Sequence, residues 1–164
     1  MPSLRIFMAE DSEASRLRLT QDLGGRGDID IVGSADSEIG AVTWLVRHPQ
    51  AWDLTILDLA SNPESGLRTL AACRVRRPGQ KVVVLRQDAA SDTLLRRCRG
   101  LGADLVIDKL PGHSSLLRYC ADLNAGVHRS RSCEFLACLR VRLDRGLSAL
   151  RSVQLVRSLR FGKR

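Results

Sequence analysis

Charged side chains stand directly behind short apolar runs at four places in this 164-residue chain: Glu10-Asp11, Asp58, Arg86 and Asp108-Lys109. Carboxylates that converge without a cation repel one another and raise each other's pKa. A divalent ion removes that conflict. Hard oxygen donors, one or two carboxylates with water beside them, describe a Mg²⁺ site. An ammonium next to it, Lys109, suits an added phosphoryl oxygen. These residue types point to phosphoryl chemistry at a carboxylate, provided that the fold brings the apolar runs side by side.

The runs and the segments between them meet that condition. Residues 4–9, 29–33, 54–57, 81–85 and 104–107 read as strands. Val82-Val83-Val84 has the continuous β-branched character of a central parallel strand covered on both faces. Between them lie amphipathic segments. Ser12 caps a helix to about 23, where Gly24-Gly25 ends it. Residues 37–48 carry helical periodicity up to Pro49, and a third helix through Leu67, Leu70 and Cys73 ends before Pro78. Residues 91–101 and 114–123 supply two more. Five strands alternating with five helices predict an α/β fold, a doubly wound five-stranded parallel sheet. Such sheets carry function at the carboxyl ends of their strands, where all the charged positions fall.

Composition narrows the class further. Hydrophobic residues make up 44% and charged residues 27%, ordinary for a globular protein, while aromatics are only 4%, so the core must be built from Leu, Val, Ile and Ala. No apolar run reaches the ~18–20 residues of a membrane span, and the N-terminus lacks a secretory signal, so the expected location is cytoplasmic, without a membrane partner. Five cysteines at wide spacing and three histidines away from them give neither a disulfide framework nor a thiolate metal site.

The charged positions, their order and their spacing give the chain a resemblance to the receiver domain of two-component response regulators. The acidic pair after strand one, Asp58 with Gly66 eight residues later, and Gly102-Ala103-Asp104 through Lys109 all stand where that family has them, over roughly residues 4–125. Arg96-Arg97-Cys98-Arg99-Gly100-Leu101-Gly102-Ala103-Asp104 with Asp108-Lys109 also looks like a stand-alone receiver subgroup. The resemblance implies a (βα)5 flavodoxin-like fold in which Asp58 accepts a phosphoryl group from a sensor histidine kinase or phosphotransfer protein. Glu10, Asp11, Asp58 and the Ala60 carbonyl would hold Mg²⁺, and Lys109 would neutralise the transferring group. The chain would then signal through protein contacts rather than act as an enzyme.

Three positions depart from the family pattern. Arg86 stands where a Ser or Thr hydroxyl is expected, Val106 replaces the switch aromatic, and Leu110 replaces the proline after the lysine, with Pro111 one step on. Arg86 has three options: an ion pair with Asp58, an outward position from which it binds phosphate, or an exposed loop position. These departures keep alive a phosphorylation-independent pseudo-receiver that acts as an interaction or dimerisation module.

Charge divides the chain. Ten Arg or Lys against Glu134 and Asp144 give residues 128–164 the whole net charge of +8, leaving residues 1–127 neutral. The expected organisation is a receiver domain over 1–127 and a basic amphipathic helical tail over 128–164. Leu136, Leu139, Leu143, Leu147, Leu150 and Val153 form its apolar stripe. That tail suits packing on the domain or a second copy, docking on a partner protein, or non-specific phosphate contacts with nucleic acid in a transcription-linked regulator. No helix-turn-helix, zinc-finger or RNP pattern accompanies it.

Overall fold

Strand pairing settles how the charged positions meet. In the computed structural model of the protein, which describes residues 3–25, 28–60, 62–87, 92–109 and 114–126, five strands form one sheet in the order β2-β1-β3-β4-β5. They are β1 (Leu4–Ala9), β2 (Ile29–Ala35), β3 (Leu54–Asp58), β4 (Lys81–Arg86) and β5 (Leu105–Asp108), and every pair is parallel. The helices between them are α1 (Glu13–Gly24), α2 (Glu38–Arg47), α3 (Pro63–Ala72) and α4 (Asp92–Gly100), followed by α5 over 114–126. The strand order reverses direction beside β1, and the crevice at such a reversal lies at the carboxyl ends of β1 and β3.

Side-chain alternation along the strands builds two apolar layers. Phe7, Leu57, Val82 and Val84 meet Ala41 and Leu45 of α2, Leu67 and Leu70 of α3, and Cys98 of α4. Their neighbours Ile6, Met8, Leu54, Ile56, Val83 and Leu85 are also buried and point to the opposite face. Leu19 and Leu23 of α1 and Leu116 and Cys120 of α5 are the buried helical residues left to cover that face. One compact unit spans Met1–Asn124.

Local chemistry fixes the helix starts next to the crevice. The Ser12, Ser37 and Asn62 side chains accept hydrogen bonds from the backbone N–H groups of Ser15, Gly40 and Ser65, and Pro63 opens α3 where no N–H is needed. Gly25 and His48 end α1 and α2 at the expected places. Several bounds differ from the sequence expectation. β2 continues past Gly33 to Ala35 because it stays paired with Met8 and Ala9 of β1. Gly33 lies under the Trp44 indole, which a Cβ would approach to 2.7 Å, so this glycine marks close packing rather than a strand end. Trp44 also stacks on Phe7 with ring centroids 4.2 Å apart, and Trp52 is buried, so both tryptophans are packing residues. Arg86 and Asp108 belong to β4 and β5 themselves, and α5 runs on to 126. Leu110, Pro111, Cys133, Cys138 and the tail over 128–164 lie outside the described residues.

Candidate functional site

Glu10 leaves β1 into a nearly dry environment. Only 3% of the residue is exposed, and its backbone N–H donates to Ala35 O at 3.0 Å. The Ser12 N–H donates to Glu10 Oε1 at 3.1 Å, and an Arg16 guanidinium nitrogen donates to the Glu10 carbonyl at 3.0 Å. Asp58 ends β3 with its side chain 3% exposed. Its Oδ1 accepts the Ala60 N–H at 3.0 Å, a short turn that fixes the carboxylate before the chain enters α3.

Lys109 closes the arrangement from β5. Its Nζ donates to Asp58 Oδ2 and to Glu10 Oε2, both at 2.9 Å, and lies 3.3 Å from Ser15 Oγ. Exposed Asp11 completes the acidic group: Glu10, Asp11 and Asp58 each offer a carboxylate oxygen within 4.8 Å of the others. The sequence-predicted carboxylates and lysine therefore converge at one rim of the sheet.

Three carboxylates around one ammonium leave a surplus of negative charge, and the titration directions follow. Burial pushes the Glu10 carboxyl above its ordinary value, and the nearby Asp58 charge adds to this; the Lys109 and Ser12 hydrogen bonds only partly offset the rise. Burial opposes the Lys109 charge, but its hydrogen bonds to Asp58 and Glu10 outweigh burial, so the ammonium is held above its ordinary pKa.

These residues fit a hard divalent cation. The donors are all oxygens, they carry excess charge, and Glu10 and Asp11 border a cavity of about 40 Å³ that continues past Asp58 to Asp36, Asn62 and Thr69. That volume admits about three water-sized oxygens, enough for an ion that keeps part of its hydration shell.

Gly66 earns its spacing from Asp58 by contact. A Cβ there would lie 2.5 Å from Leu59 Cδ1 and 3.3 Å from the Asp58 carbonyl oxygen, so α3 sits directly on the chain that leaves the carboxylate. The same close approach sets the floor of the crevice.

The remaining expectations divide. Arg86 is not on Asp58, whose oxygens are held by Lys109 and the Ala60 N–H; its Nε donates to Asp108 Oδ1 at 2.5 Å. Nor is it an exposed loop residue, since its side chain is 14% exposed. Asp108 outcompetes Asp58 because the two strands pair Arg86 with Asp108 in register. Val106 packs half-buried against the α2–α4 core. Burial raises the Cys98 thiol pKa despite Arg86 and Arg97, which makes it an inert core thiol, and Cys73 and Cys98 are free of disulfides. Sequence reasoning missed Ser15 and Arg16. The signal was the Ser12 cap, which sets the phase of α1 and turns its first residues toward Glu10 and Lys109.

No family model and no curated protein matches this sequence. Solved structures do match the fold. The signal receiver domain of the response regulator NarL from Mycobacterium tuberculosis superposes with a TM-score of 0.65 at 19% identity, covering 77% of this chain and 99% of that one. The response regulator domain of Thermotoga maritima CheB gives 0.63 at 17%, covering 75% and 97%. A chain of the CheX–CheY–BeF3–Mg²⁺ complex from Borrelia burgdorferi gives 0.62 at 20%, covering 71% and 86%. At these identities the likeness establishes the receiver-domain fold.

Proposed function

We propose that this chain is a two-component receiver that takes a phosphoryl group onto Asp58 and signals through protein contacts. One observation carries the reading: a buried Asp58 carboxylate lies 2.9 Å from the Lys109 ammonium and within 4.8 Å of further carboxylate oxygens from Glu10 and Asp11. An Asp58 oxygen attacks the phosphorus of a phosphohistidine on a sensor kinase or phosphotransfer protein. The second ring nitrogen of the phosphohistidine carries a proton, so that as the new O–P bond forms and the P–N bond breaks the electron pair stays on the nitrogen and the imidazole leaves neutral. Lys109 is placed to pair with the phosphoryl oxygens as charge shifts onto them, the positioning and electrostatic work that dominates such transfers. Glu10, Asp11, Asp58 and the Ala60 carbonyl would hold Mg²⁺, which when bound adds positive charge beside those oxygens; a structure of the same fold contains BeF3 and Mg²⁺.

On this reading residues 1–127 are the signalling domain, residues 128–164 are a separate basic segment, and the protein works in the cytoplasm. No helix among the described residues is long and apolar enough to cross a membrane. The test is incubation with acetyl phosphate and Mg²⁺ followed by intact mass. A mass gain of one phosphoryl group that disappears in Asp58→Asn supports the assignment, and its absence from the wild type overturns it. The engagement of Arg86 by Asp108, with Val106 beside the core, favours a second reading, the pseudo-receiver that acts as an interaction or dimerisation module. Partner binding that Asp58→Asn leaves unchanged distinguishes it. Nucleic-acid binding by the basic segment remains the third reading.

A further inference from the structure

We infer that the outer face of α2 is the contact through which two copies of this chain pair, antiparallel about a twofold axis between Val42 and Thr43. No phosphoryl group on Asp58 is required for it. On its solvent side α2 is unlike its neighbours. Exposed positions of α1, α3 and α4 hold Arg18 and Asp22, Glu64 and Arg68, and Arg96 and Arg99, as a solvated helix face should. Between Glu38 and Arg47, α2 carries no charged residue, and Ile39 and Val46 stand 81% and 70% exposed.

Helix geometry gathers these residues into a stripe. At 3.6 residues per turn, Ile39, Thr43 and Val46 lie within about 60° of one another, with Val42 beside them. Ala41 and Leu45, the buried residues of α2, point the opposite way into the core. The stripe is therefore no part of the domain's own packing. All four of its residues are β-branched. Such side chains form helix less readily than the Lys, Glu or Gln that suit an exposed face, and their stiff χ1 leaves little rotamer freedom to lose on contact.

The order of residues along α2 identifies a second copy as the occupant. Ile39 and Val46 are equally far from the helix centre, and so are Glu38 and Arg47 at its two ends. An antiparallel twofold pair sets each Ile39 against Val46 of the other copy and each Val42 against Thr43. Each Glu38 then meets Arg47, so apolar groups are covered and opposite charges match at both ends. A carboxylate in the first turn and a guanidinium in the last also suit the helix dipole, but the dipole does not call for an apolar middle. Glu38 also pairs with Arg68 at 2.7 Å, and one carboxylate accepts from two guanidinium groups. With Asp36 and Asp58, Glu38 lines the crevice, so the paired helices border the carboxylate site.

The test is sedimentation velocity of the full chain under reducing conditions, without a phosphodonor. Concentrations of about 10–500 µM are needed, because a single helix pair falls among the small, transient interfaces. Wild type should pass from monomer to dimer over this range. Ile39→Lys and Val46→Lys should each weaken the dimer more than about tenfold, since twofold symmetry counts each change twice. Leu17→Lys, at an exposed apolar position on α1, should not. Glu38→Arg and Arg47→Glu should each weaken it about fivefold. An equimolar mixture of those two variants should regain wild-type strength, because each copy then offers the charges that the other lacks. A wild type that stays monomeric throughout leaves the stripe to a different protein and overturns the pairing. Association untouched by Ile39→Lys and Val46→Lys also overturns it and moves the contact elsewhere, the basic segment over 128–164 included. A mixture no stronger than its parts overturns the twofold register. Should Val46→Lys fail to melt cooperatively, the charge mixture decides.

Discussion

Among the described residues, Lys109 is the cation shared by two carboxylates that are almost fully buried, with side-chain exposures of 1% for Glu10 and 3% for Asp58. Replacing it with Met leaves both without their ion pair. Removing one partner of a buried pair costs about 3–5 kcal/mol. Here the lower end is expected, because Glu10, already pushed upward by burial, takes a proton rather than remain charged. The sign follows: a carboxyl whose folded pKa is raised stabilises the fold below its unfolded value and loses that contribution as pH rises through the folded one. Lys109→Met should therefore be destabilised by about 3 kcal/mol in urea melts at pH 8, with the deficit shrinking toward pH 5. An equal deficit at both pH values would contradict the charge argument. Millimolar Mg²⁺ should raise the melting temperature of the wild type and not of Glu10→Gln, with EDTA reversing the gain. Cys73 tests burial against only a weaker, opposing Arg76 charge. Its thiol is pushed up to about 12, chiefly by burial, against an ordinary 9.0. The unfolded chain releases this proton first, so stability is intact below pH 9 and falls between 9 and 12, by about 4 kcal/mol in total. Cys73→Ser should flatten that alkaline limb of a denaturant-melt series.

At the scale of elements, α3 is tied to the chemistry through Gly66. An added methyl meets Leu59 and the backbone carbonyl of Asp58, neither of which yields easily. Gly66→Ala is expected to cost about 1–3 kcal/mol by overpacking. It should also slow acetyl phosphate labelling, because α3 pushes on the segment whose Ala60 N–H holds Asp58. Thermal melts read the first effect and timed mass spectra the second; normal labelling in a destabilised variant would confine Gly66 to packing. This spacing was legible in the sequence although its cause was not, since a glycine's neighbours come from tertiary contact. The same holds for Gly33, which reads as a strand end until Trp44 is seen lying on it. Strand four, with its unbroken apolar run, strand three and the Ser12 cap were plain from residue type and position, whereas Asn62 and Pro63 read as loop and are the cap and first turn of α3. The convergence of Glu10, Asp11, Asp58 and Lys109 was legible because parallel strands necessarily bring their carboxyl ends to one rim. The partner of Arg86 was not. It depends on which neighbouring strand offers the better-placed carboxylate, and that choice is made by the β4–β5 register and by Lys109 having already taken Asp58.

Across the whole molecule, net charge is divided unevenly along the chain. The net charge of +8 comes from residues 128–164. Residues 1–127 carry equal numbers of basic and acidic groups, and Glu10, Asp11, Asp36, Glu38 and Asp58 line the crevice at the carboxyl rim. A neutral domain with an anionic crevice has little long-range attraction for polyanions, while a segment rich in arginine does. A chain ending at residue 127 should therefore melt cooperatively and still label on Asp58, yet pass through a heparin column in low salt. The full chain should be retained there and elute as salt rises, since screening weakens contacts between exposed charges. Retention of the shortened chain would place a polyanion-binding surface on the α/β domain itself. Loss of cooperative melting would instead make the basic segment part of the folding unit, and either result would break the division of labour that the charge distribution implies.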